Sequence, residues 1–85
     1  MAIAAGSQVK TAKEGKWKTW GWINKGGQIM RCHIEPDRIY TVTVATSRFK
    51  QPDGTYQSCT KMMDTETGVE VMVEKEAIVE LLRAT

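Results

Sequence analysis

The chain is poor in most of what would announce a chemistry: its 85 residues include two cysteines, one histidine, two prolines and one phenylalanine. Cys32 and Cys59 are too few for a disulfide scaffold, and an intracellular chain keeps both reduced, so they read as small core residues. A structural zinc site needs about four ligands, and only Cys32, His33 and Cys59 offer sulfur or imidazole, with no C-x-x-C pair; no metal is expected. No apolar run approaches the ~20 residues that cross a bilayer, and Met1 to Gly6 lacks the basic start and long apolar stretch of a secretory signal. The expectation is a cytoplasmic chain with no membrane partner.

Catalytic patterns are missing as well. Cys32 and His33 are neighbours, and neighbours on a strand point to opposite faces, so the pair does not make a nucleophile and its base. Glu35 and Asp37, and the series Glu70, Glu74, Glu76 and Glu80, have the spacing of solvated rows and not of a buried acid pair with split pKa values. Gly26-Gly27 lacks the G-x-x-x-x-G-K-[ST] frame of a phosphate loop and reads as a turn. No enzyme activity and no cofactor are expected.

What the chain does have is 41% hydrophobic and 26% charged residues, the profile of one globular domain over residues 1–85. Its net charge of +2 hides a split. Residues 1–50 carry nine Lys/Arg against three acids, a balance of +6, and residues 51–85 carry three against seven, a balance of −4. Such polarity steers an anionic partner onto one face while total charge stays modest.

The strand signals are plain. Arg38 to Thr46 is dense in β-branched and aromatic residues, with Tyr40, Val42 and Val44 on one side, and the run continues toward Phe49. Gln51-Pro52-Asp53-Gly54-Thr55 is turn chemistry, after which Tyr56 to Met62 or Met63 should pair back antiparallel. Asp64 to Gly68 is a second turn, leading into a strand at Val69 to Val73. Gln8 to Ala12 is a plausible first strand, separated from Tyr40 by a long segment broken by Gly15, Gly21, Gly26, Gly27 and Pro36. The end, Glu74 to Arg83, reads either as a helix, with Ala77, Ile78, Leu81 and Leu82 on one side, or as one helical turn at Glu74 to Ala77 and a closing strand from Ile78 to Leu82 that covers the open edge of the meander.

The pieces "GSQVKTA", "PDRIYTV", "QPDGTY", "DTETGVEVMV" and "EKEAIVELL", in that order, resemble an SH3-like small β-barrel. The resemblance implies an all-β fold of about five antiparallel strands with a long first loop and one short helical turn; a β-meander with a C-terminal α-helix is the alternative. It places residues between the first two strands in a binding loop. The similarly short type B dihydrofolate reductases share that barrel, but their V-Q-I-Y strand corresponds here to Val69-Glu70-Val71-Met72, so their activity is not implied.

The segment "KWKTWGWINKGG", Lys16 to Gly27, then draws attention, because it holds all three tryptophans among lysines. If the backbone is extended, Trp20 and Trp22 share a side. One indole is needed to fill so small a core; the others, next to cations, suit the stacking and phosphate contacts of single-stranded nucleic acid. The expected contacts are Lys16, Trp17, Lys18, Trp20, Trp22 and Lys25, joined by Arg31, Arg38 and Arg48. Tyr40 is a further candidate. The function expected is a non-catalytic module binding single-stranded DNA or RNA. The alternative is a protein-interaction module, such as a small accessory subunit or phage-type inhibitor, docking on an acidic or nucleic-acid-binding partner, and homo-oligomerisation is left open.

Overall fold

A computed structural model describes residues 3–12 and 19–83. Among the described residues there are seven strands: β1 (Gln8–Thr11), β2 (Trp20–Lys25), β3 (Gln28–His33), β4 (Tyr40–Lys50), β5 (Tyr56–Asp64), β6 (Glu70–Val73) and β7 (Ile78–Arg83). One 3₁₀ turn, Lys75–Ala77, precedes β7. All pairings are antiparallel, in the order β3-β2-β6-β5-β4-β1-β7.

The meander of β4, β5 and β6 forms where turn chemistry and β-branched runs required it. Gln51 to Thr55 closes the first hairpin, with Gly54 at φ 90° and the Asp53 carboxylate accepting from the Thr55 amide at 2.9 Å. Asp64 opens the second turn, its carboxylate accepting from the amides of Glu66 at 2.8 Å and Thr67 at 3.3 Å. The chain end is a 3₁₀ turn and then a strand, as one of the two readings had it, and not a helix. β7 does not cover the meander, however. It pairs with β1, which in turn pairs with β4.

The expected five strands are seven, because the segment read as an irregular first loop contains a hairpin. Gly26 and Gly27, at φ 59° and 87°, supply the two positive φ values that a two-residue hairpin turn demands. The Asn24 side chain accepts from the Gly27 amide at 2.9 Å. β2 then leans on β6 through the pair Trp22↔Met72. Gly21 makes that approach possible: a Cβ there would lie 2.5 Å from the Met72 carbonyl oxygen and 2.9 Å from Ile34. The sheet is open, with β3 and β7 as its two edges.

One face of the sheet packs the core of Val9, Ile34, Tyr40, Val42, Met62, Val71, Val73, Ala77 and Ile78. A smaller outer cluster joins Trp22, Phe49, Cys59 and Met72. The β4/β5 ladder has two register shifts, between Val42 and Val44 and between Val44 and Ser47, and beyond them Phe49 shares the face of Cys59. The first opposes Val44 to Lys61 and leaves it exposed, although simple alternation would bury it beside Val42. Such shifts also bend a strand, and here the far end of β4 brings Phe49 over Trp22. The buried Thr60 hydroxyl donates to the Ala45 carbonyl at 2.9 Å within the disturbed stretch.

Candidate binding face

The β2–β3 hairpin sets the site. Its register runs unbroken from Lys25↔Gln28 to Trp20↔His33, so alternation puts Trp20, Trp22 and Asn24 on one face with Ile29, Arg31 and His33. That face is the outer one, opposite Gly21 and the core.

The two indoles on it behave differently. Trp22 is 8% exposed, its ring 5.1 Å from that of Phe49, and the Arg31 guanidinium lies 5.0 Å over it. It fills the outer cluster and makes a cation–π contact with Arg31. Trp20 is 41% exposed and meets the exposed His33 ring edge to face, with centroids 5.5 Å apart. The His33 Nδ1 lies 3.7 Å from Glu35. Trp20 therefore presents a stacking surface, and Arg31 a cation held beside it.

The hairpin continues laterally. Cross-strand pairs align Lys61 of β5, Met72 of β6, Trp22 of β2 and Arg31 of β3 in one row, so a cation stands at each end of an apolar centre. Glu70 lies near Lys61, where its carboxylate accepts from Thr43 at 3.0 Å. Lys25 is exposed beside the hairpin turn, on the opposite face by the same alternation.

The other candidates lie elsewhere. Arg38 bonds the Asp64 carboxylate and reaches Glu66 at 3.0 Å, so two acids already compensate its charge. That contact with Arg38 holds the Asp64 carboxyl below its ordinary value and raises the Arg38 guanidinium further. Tyr40 is 4% exposed, and its hydroxyl donates to the Glu35 carbonyl. It belongs to the core. Burial pushes its phenol up. Arg48 lies 5.0 Å over the exposed Tyr56 ring at the far end of the β4–β5 hairpin. Alternation puts that pair on the opposite face of the hairpin from Phe49. Lys16, Trp17 and Lys18 fall outside the described residues.

His33 and Lys61 are the residues that sequence reasoning passed over. The signal for His33 was present: with Gly26-Gly27 as a two-residue turn, the hairpin register follows, and Trp20 falls opposite His33.

Cys32 and Cys59 are both buried enough that desolvation raises their thiols above the ordinary value. Each is therefore a protonated thiol at neutral pH, a packing group more than a nucleophile. An open groove of about 510 Å³ runs between the β4–β5 hairpin and the 3₁₀ turn, but Glu74 and Glu76 line it against Lys75 alone, a balance unsuited to anions. No described helix is long and apolar enough to cross a membrane. No protein family, curated protein or solved structure matches the chain, so the site rests on its own geometry.

Proposed function

We propose that the chain is a non-catalytic module that offers the outer face of the β2–β3 hairpin to single-stranded nucleic acid. One observation carries this reading: an exposed indole, Trp20, lies on the same strand face as a guanidinium fixed over Trp22. A base stacks on Trp20, the exposed His33 ring flanks it, and Arg31 and Lys61 meet phosphates on either side of the apolar row. Stacking of this kind is sequence-tolerant, because every base has a π face, and contributes about 1–3 kcal/mol per base. Lys25 adds charge at the turn.

The element order also supports reading the architecture as an elaborated SH3-like barrel. A first strand is followed by an excursion, a three-strand meander, one 3₁₀ turn and a last strand that returns to the first. In this reading the excursion is the β2–β3 hairpin, and it carries the binding face.

The test is a titration with a short oligothymidylate, followed by tryptophan fluorescence at low and moderate salt. The reading requires quenching at low salt and an affinity that falls steeply as salt rises. Trp20→Ala should weaken binding by roughly five- to 150-fold, the loss of one stacked base. Absence of quenching at low salt removes the proposal.

A further inference from the structure

The backbone of the hairpin suggests a second way to bind, along the edge of the sheet and not on its face. β3 ends the strand order, and among the described residues nothing pairs with its outer side. A two-residue turn makes Lys25 and Gln28 a pair that exchanges both hydrogen bonds, and the ladder then alternates. Met30 and Cys32 therefore bond β2, while the N–H and C=O groups of Ile29, Arg31 and His33 point away from it. Trp22, in the same alternation on β2, is the residue that pairs with Met72 on the other side, as this assignment requires.

The two edges of the sheet are not equally guarded. The β1/β7 ladder has two register shifts, so the β7 edge is bent. β3 has no proline, no shift and no lysine along its six residues, which leaves a straight template for another strand.

Charge then selects the occupant. The outer face of β3 presents Arg31 and His33, and near its start Lys50 shares a cleft of about 320 Å³ with Gly27, Gln28, Ile29, Gln51 and Pro52. Among the described residues Glu35 stands at the His33 end, 3.7 Å from its Nδ1, and Asp53 follows Pro52 beyond the cleft at the other end. A second copy of the chain fits poorly: full antiparallel self-pairing of the three outward residues centres on Arg31 and sets two guanidiniums opposite each other, which like-charge cross-strand pairs do not tolerate. On the other face Met30 is 46% exposed and offers an apolar neighbour.

We propose that β3 accepts, as an eighth strand, an extended segment of a partner protein in which acidic and apolar residues alternate, the acids facing Arg31 and His33 and the apolar residues facing Met30. This is strand addition, in which main-chain hydrogen bonds supply affinity and alternate side chains supply specificity. It needs the strand edge and not the Trp20 ring, so it stands or falls separately from nucleic-acid binding.

The experiment measures amide hydrogen exchange of the whole chain with and without a six-residue peptide of alternating glutamate and valine, capped at both ends. At saturation, exchange should slow by about tenfold or more at Ile29, Arg31 and His33, while Met30 and Cys32, already bonded to β2, change little. The same peptide N-methylated at alternate amides keeps its charge but loses strand pairing, and should give no protection. Three results overturn the proposal: no protection at the three amides, equal protection by the N-methylated peptide, or protection of the same amides without peptide in a concentration-dependent dimer, which would make a second copy the occupant. Protection by an oligothymidylate and not by the peptide also overturns it.

Discussion

Trp20 and Trp22 are two residues apart and share a strand face, yet one is surface and the other core. The difference comes from Phe49, which the bent end of β4 lays over Trp22 and not over Trp20. Substitution should separate the roles. Trp22→Ala empties the outer cluster and should destabilise the fold by about 3–5 kcal/mol, whereas Trp20→Ala should change stability by no more than about 0.5 kcal/mol. Urea unfolding of the two variants measures both. Gly21 is as constrained as Trp22, for an opposite reason. Its missing Cβ is what lets β2 approach the Met72 carbonyl, so Gly21→Ala should cost about 1–3 kcal/mol by overpacking and loosen the hairpin from β6. An unchanged urea midpoint for Gly21→Ala would contradict that contact. At this scale the sequence was only partly legible. One of three indoles was expected in the core, but which one depended on Phe49, and the Phe49–Trp22 contact joins strands that are not neighbours in the sheet, which no local pattern announces.

Elements were read best where turn residues and β-branched runs agreed. The meander follows from Pro52, Asp53, Gly54, Asp64 and Gly68 set between apolar alternations, each level pointing the same way, whereas Glu74 to Arg83 carried both helix propensity and strand pattern and stayed open between the two. The β2–β3 hairpin was taken into a long first loop because Gly21 was counted as a break, although Gly26-Gly27 was read as a turn. Gly21 is a close approach and Gly26-Gly27 a two-residue turn, so both belong to regular structure. Val44 misled in the other direction, since the first shift in β4 turns it outward after Tyr40 and Val42 have pointed in. The Asp64 turn carries a pH prediction. Arg38 first, and then the amides of Glu66 and Thr67, favour the ionised carboxylate and lower its pKa from the ordinary 3.8. A depressed carboxylate pKa contributes stability that is fully present above the unfolded value and lost as pH falls through the folded one. Thermal stability should therefore drop in the acid range below about pH 4, and Asp64→Asn should flatten that drop. An equally steep acid limb in the variant would show that other carboxylates set it.

The whole molecule places its charges and its edges unevenly. Of the basic residues of the first half, Lys25 and Arg31 stand on the hairpin and Arg38 and Arg48 lie elsewhere, while Glu74 and Glu76 stand in the groove beside the 3₁₀ turn. Arg31 shares the strand face of Trp20 and stands at the centre of the β3 edge, where self-pairing would oppose two guanidiniums. Arg31→Thr should therefore weaken oligonucleotide binding and promote self-association, because a β-branched neutral residue replaces the opposed charges. Sedimentation equilibrium checks this, and a variant that stays monomeric at high concentration would remove the guarding role. The charge split in the sequence did not locate the cations of the face, since Lys61 comes from the acidic half, Arg38 bonds Asp64 and Glu66, and Tyr40 lies in the core. The central claim, that the exposed indole is a stacking platform, is tested most directly by the indole N–H signals in a ¹H–¹⁵N spectrum during titration with oligothymidylate. The account predicts that the Trp20 signal moves with the amides of Arg31 and His33, while the buried Trp22 signal stays in place. A Trp20 signal that does not move at saturating oligonucleotide and low salt would contradict it.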